Sequence, residues 1–308
     1  MDVPLVVWVA LVGGIVALLL VDLLVVHREA HEVTMREAAI SSAAWIAVGV
    51  AFGIGVWLVG GGEKGGEWFA GYVVEKALAV DNIFVFAVIL SSFAVPPALQ
   101  HRVLFFGVIG ALVLRAGFIA AGASLLANFS WVMYLFGGFL VLTGVRLARG
   151  GTHQGDPGQS RSVRLLGRIV PVTGTYEGPR FLVRREGRRF ATPLLAVLVA
   201  VEASDVVFAV DSIPAVFAVT DDPFIVFSSN AFAILGLRAL YFLLAGAIHR
   251  FVHLGKGLAA VLGFVGLKML LVDVVHVPVA ASLAVIVSVL AIAVGASLRA
   301  TASQEVAA

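Results

Sequence analysis

The sequence predicts an all-α, polytopic membrane helix bundle of about nine transmembrane helices, and three observations carry that reading. Hydrophobic residues make up 61% of the chain and charged residues 13%, against about 25% charged in soluble domains. The mean hydropathy is +1.05, so the natural solvent for most of the chain is lipid. Uninterrupted apolar runs reach the roughly 20 residues an α-helix needs to cross the hydrocarbon core, without the alternation of a barrel strand.

Taken in order, the spans fall at about 3–26, 39–59, 69–93, 102–124, 129–147, 193–219, 228–248, 254–272 and 277–298. The first run follows Asp2 rather than a basic segment and is long for a signal peptide, so it is expected to remain as a helix. The long polar segment 148–192 carries nine arginines against Asp156, Glu177 and Glu186. Positive loops stay in the cytoplasm. Counting back through the other basic connections, 27–38, 94–101 and 249–256, places the N-terminus outside and the C-terminus inside a plasma (inner) membrane. Within the loop, residues 180–190 read as two short strands around a Glu186-Gly187 turn, and 150–160 reads as a flexible stretch. Thr192-Pro193 reads as an N-cap and first helical residue.

The chain is expected to be a single transmembrane domain over 1–308, with two copies of one three-helix unit inside it at about 69–147 and 193–272. Glu75 to Ile83 aligns without gaps on Asp205 to Ile213, bringing acid, Ala-Val-Asp and Ile into register. Further on, Leu114-Arg115-Ala116 matches Leu237-Arg238-Ala239, and Gly144-Val145-Arg146 matches Gly266-Leu267-Lys268. The topology makes the copies inverted, an arrangement that puts ion sites near the midplane at the repeat interface. Glycines 107, 110, 117, 122, 137, 138 and 144 read as close-packing positions between helices.

A carboxylate at the bilayer centre costs about 2.5–3.5 kcal/mol, so such groups face a partner or a polar cavity. Six acids fall in the apolar runs: Asp22, Glu75, Asp81, Glu202, Asp205 and Asp211. Lys76, Arg115, Arg238 and Lys268 lie at comparable depth, leaving an excess of negative charge that a divalent cation or protons would neutralise. On a straight helix Glu202 and Asp205 share a face while Asp211 points away, and Pro214 is expected to break the helix and turn Asp211 toward them. Carboxylates, Asn82, Ser212 and freed carbonyls are hard oxygen donors suited to magnesium, manganese or calcium. The candidate metal set is Glu75, Asp81, Asn82, Glu202, Asp205, Asp211 and Ser212, with Asp22 outside the repeat and Arg115, Arg238 and Lys268 as supporting ion pairs. The alternative is an ion-pair network that only joins helices. There is no cysteine, which removes disulfides, thiolate ligands and thiol nucleophiles. The histidines fall in loops or at span ends, and His27 and His31 read as an interfacial pair.

At Glu75 to Phe86, at Glu202 to Phe217 and at Ser229 to Phe242 the sequence resembles the TerC family, over most of the chain from about Asp22 to Lys268. The resemblance implies a polytopic metal-ion transporter of the LysE-like superfamily, with links to manganese export and tellurium resistance. It implies that Glu75, Asp81, Glu202, Asp205 and Asp211 occupy the family's acidic positions. The expected function is export of a hard divalent ion, manganese first, with proton exchange as a driving force. The alternative is a non-transporting scaffold of a tellurite or metal stress complex. No tightly bound cofactor, enzymatic activity or nucleic-acid partner is expected; the basic loop is a candidate surface for protein partners.

Overall fold

The computed structural model describes residues 3–22, 34–129, 131–149, 171–185, 188–245, 253–275 and 277–307, and the side chains at Asp81 and Asp211 are outside that description. The stretch 150–160, the Glu186-Gly187 turn and His27 with His31 also lie outside the described residues. The helices are α1 Leu5–Val21, α2 Met35–Ser92, α3 Pro97–Asn128, α4 Val132–Ala148, α5 Pro193–Phe217, α6 Pro223–Leu235, α7 Leu237–Ala245, α8 Leu254–Leu270 and α9 Val279–Ala307. Strands β1 Leu182–Arg185 and β2 Arg188–Ala191 pair antiparallel, with Leu182 opposite Ala191 and Arg185 opposite Arg188. Four described helices are long and apolar enough to cross a membrane, or five if the bent pair α6–α7 counts as one span. The protein is therefore an all-α membrane bundle.

Polarity is distributed from inside to outside in the reverse of a soluble domain. Leu58, Val59, Val113, Leu142 and Ile292 are exposed on helix faces, while Glu75, Asn82, Arg115, Asp205, Ser212, Asn230 and Arg238 are buried. Apolar side chains can face hydrocarbon at no cost, whereas polar ones must find partners within the protein.

Several boundaries differ from the sequence reading. The second and third spans are two antiparallel arms of α2, and residues 60–68 are helical apart from Gly61, at φ 84° and ψ 175°. That left-handed φ is open to glycine with little strain. The reversal is visible in the packing: a Cβ on Gly53 would lie 2.5 Å from the Trp68 ring, and one on Gly65 2.6 Å from Trp57. The seventh span starts earlier than read, because Asp222 caps α6 by accepting from the Phe224 amide at 3.0 Å. It then bends by 42° at Gly236 into α7. Lys76 Nζ donates to the Ala233 carbonyl at 2.8 Å beside that bend, placing a cation where the last carbonyls of α6 lack amide partners.

The expected break at Pro214 is absent: α5 stays helical through it to Phe217. Pro214 lies in the last turn, where its missing amide removes a single ladder bond, and its own carbonyl still accepts from Ala218 at 3.0 Å. At the other end of α5, Pro193 is the first helical residue, but the Thr192 hydroxyl donates to the carbonyls of Arg180 and Phe181 instead of capping. The described part of the basic loop sits against the connection between α2 and α3. Tyr176 donates to the Phe93 carbonyl at 2.7 Å, and Phe181 meets the Phe106 ring edge-on beneath Arg102.

Helices α4 and α8 approach closely enough for backbone to meet backbone. A Cβ on Gly266 would stand 2.8 Å from the Gly137 carbonyl oxygen, one on Gly137 would stand 3.0 Å from the Gly266 carbonyl oxygen, and one on Gly144 would stand 2.9 Å from the Ala259 carbonyl oxygen. Backbones this close need small residues on both sides. Of the other glycines read as packing positions, 107, 110 and 122 also meet side chains of α5, while 117 and 138 face open space.

Candidate functional site

Four helices converge on one buried guanidinium. Arg115, on α3, is 1% exposed. Its Nη1 donates to the Glu75 carboxylate on the second arm of α2, to Ser212 Oγ on α5 at 3.2 Å and to Asn230 Oδ1 on α6 at 3.1 Å. Its Nε and Nη2 grip both oxygens of Asp205 on α5, at 3.3 and 3.1 Å. Asn230 closes the ring by donating from Nδ2 to the second Glu75 oxygen at 2.9 Å. Charge-assisted bonds of this kind are the strong ones, and a planar fork that reaches two carboxylates at once is a task suited to arginine.

The structure thus brings together Glu75, Asp205, Ser212 and Arg115 from the sequence-derived set. Glu202 is three residues, about one helical turn, before Asp205 on α5. Its carboxylate fits where Gly110 of α3 has no side chain; a Cβ there would come within 2.0 Å of Oε1. Glu202 Oε2 is buried with no hydrogen-bond partner among the described residues, as are Asn82 Nδ2 and the Tyr72 hydroxyl. Asp81 and Asp211 are helical in backbone, each six residues beyond Glu75 and Asp205 respectively. Among the described residues no three His, Cys, Asp or Glu side chains are grouped to hold a metal ion. At Glu75 and Asp205 the charge is met by Arg115 instead.

Three of the other candidates, Asp22, Arg238 and Lys268, lie elsewhere. Arg238, the sequence counterpart of Arg115, donates to Asp22 Oδ1 on α1 at 2.5 Å and sits over the Phe105 ring. Lys268 lines a cavity of about 630 Å³ with Glu63, Glu67, Thr220 and Asp221, at the Gly61 end of α2. Glu67 there accepts from Lys64 at 2.9 Å and from Thr220 at 2.6 Å. It precedes Glu75 by two turns, roughly 12 Å at 1.5 Å per residue.

Sequence reasoning missed Asn230, Glu67 and Thr220. Asn230 had a usable signal, a lone amide inside an apolar helix; Glu67 read as a loop residue because Gly61 hides a helix behind a glycine-rich run, and Thr220, which does lie in the connection after α5, carried no sign that it would meet Glu67.

A bundle that keeps its carboxylates and amides inside and its apolar faces outside is an integral membrane protein with a polar, charged interior. The profile of the integral membrane protein TerC family matches residues 60–305. The chain belongs to the TerC family. It is 49% identical over 291 residues to the membrane protein STKORF319 of Myxococcus xanthus, covering 94% of this chain and 91% of that one. A Salmonella typhi relative, provisionally named membrane-bound redox modulator Alx, is 47% identical over 92% of this chain and 91% of its own. The Mycobacterium bovis membrane protein Mb2742 is 43% identical over 86% of this chain and 68% of its own. No solved structure matches the chain significantly.

Proposed function

We propose that this protein is a transporter, working as an exporter, of a hard divalent cation, with manganese the preferred ion. The observation that carries the reading is the convergence of Glu75 and Asp205, equivalent positions of the two repeats, on one buried cationic group from a third helix. Acids held this deep and shared between repeat halves are the pattern of an intramembrane ion site. Asp81, Asn82, Asp211 and Ser212 add further oxygen donors to these two acids, a set of the kind that takes manganese.

The glycine contacts support the inverted repeat. Moving Gly137 forward by the spacing that separates Gly144 from Gly266 reaches Ala259, so the pair Gly137–Gly266 turns into the pair Ala259–Gly144. Two copies related by a two-fold axis touch in this reciprocal way. The described part of the basic loop lies at the same end as the 93–102 connection, which supports an inside face there and an outside face at Gly61.

The name given to the Alx relatives suggests a second reading, redox modulation. This sequence contains no cysteine, so any redox effect must run through something other than its own thiols, and control of metal supply would provide one route. Radioactive manganese uptake into inverted membrane vesicles tests the proposal. Expected is uptake above that of vesicles lacking the protein, increased by a pH gradient; equal uptake with and without the protein would leave the scaffold reading.

A further inference from the structure

We propose that Arg115 is a resident counter-cation that the transported ion must displace, and that Glu202 receives the displaced guanidinium. The proposal rests on the reading that Glu75 and Asp205 take the transported cation. Both carboxylates are engaged on the same guanidinium, Asp205 through both oxygens and Glu75 through one, with Asn230 on the other. A divalent ion approaching them meets a positive charge already in place. Arginine does not leave by giving up its proton, since its guanidinium stays charged throughout the accessible pH range. It must move to another anion, because a buried charge left without a partner is strongly unfavourable.

Glu202 has the attributes of that destination. It is on the same face of α5 as Asp205, three residues away, so the two carboxylates are separated by only about 4.5 Å along the helix axis. It lies against α3, the helix that carries Arg115, in the space left by Gly110. Its Oε2 is buried and unpartnered among the described residues. An acid kept within the protein and not used by the arginine cluster is a vacant berth for the arginine's charge.

The test is a double-mutant cycle on manganese affinity, measured calorimetrically on the purified full-length protein. Arg115→Gln removes the competing charge and should bind manganese at least tenfold more tightly than wild type. Glu202→Gln should weaken binding in the wild-type background, where the displaced arginine has nowhere to go, and should have no effect in the Arg115→Gln background. Equal weakening in both backgrounds would make Glu202 a direct ligand and overturn the proposal. So would Arg115→Gln binding no more tightly than wild type. If Arg115→Gln is unstable, manganese at millimolar concentration should raise its melting temperature more than it raises that of wild type; a variant that metal does not restore also overturns the proposal. Wild type that binds no divalent ion would instead remove the transport reading itself, and the proposal with it.

Discussion

At the scale of single residues, the acids were legible because charge inside an apolar run is rare and conspicuous. Their geometry was not. Helical periodicity placed Glu202 and Asp205 on one face, and they are so placed, yet it could not say that Asp205 would be gripped by Arg115 while Glu202 would not. That choice depends on which turn of α3 faces which turn of α5, a tertiary fact set by glycines such as Gly110. Asp81 and Asp211 offer the most direct test of the ion-site reading. Asp81→Asn and Asp211→Asn keep shape and one oxygen but lose charge, and a neutral amide is cheaper to bury than a carboxylate. Each should abolish manganese transport while leaving the melting temperature in detergent within a few degrees of wild type. Loss of stability with normal transport per folded molecule would mean that the acids serve only to join helices. Metal choice belongs to this scale too. Manganese should compete for the site better than magnesium, which sheds its water reluctantly; tighter zinc binding that survives loss of the carboxylates would contradict an oxygen site.

At the scale of elements, helix type was readable from hydropathy and the ends were not. Gly61 shows why: a single residue at φ 84° reverses the chain with helix on both sides, and nothing in the composition of residues 60–68 distinguishes that from a loop. Pro214 shows the opposite error. Proline in a helix interior breaks it, but one turn from the end it removes only the bond to the Val210 carbonyl, and the ladder resumes with Ala218 donating to Pro214. The contact between α4 and α8 gives an element-level prediction. Gly266→Ala puts a methyl against the Gly137 backbone, which cannot move aside as a flexible side chain could. Overpacking of this kind costs about 1–3 kcal/mol, so its detergent melting temperature should fall clearly. Gly263→Ala on the same helix meets nothing within 4 Å and should be neutral or slightly stabilising, since alanine favours helix over glycine. Equal effects at the two positions would show that the close backbone approach does not matter.

At the scale of the whole molecule, the inside-out polarity followed from composition alone, and membership of the TerC family agrees with it. Orientation rests on the basic loops, and the absence of native cysteine makes it simple to probe. Cysteine placed at exposed Arg189, in β2, should react with a membrane-impermeant maleimide only after lysis, and cysteine at exposed Glu63 should react in intact spheroplasts; the reverse pattern would invert the topology. The hairpin turn at Gly61 has a mechanical consequence. Its arms are packed face to face, with Trp57, Trp68 and Tyr72 filling the gaps left by Gly65, Gly53 and Gly49, so α2 forms one closely packed hairpin. Glu75 is on one arm, and Trp45 on the other presses within 2.8 Å of where a Gly236 side chain would begin, at the bend between α6 and α7. Lys76, next to Glu75, holds the same bend through Ala233. The acid and the contacts to the bend therefore share one packed hairpin, and a tilt that carried Glu75 would load the joint at Gly236 at the same moment.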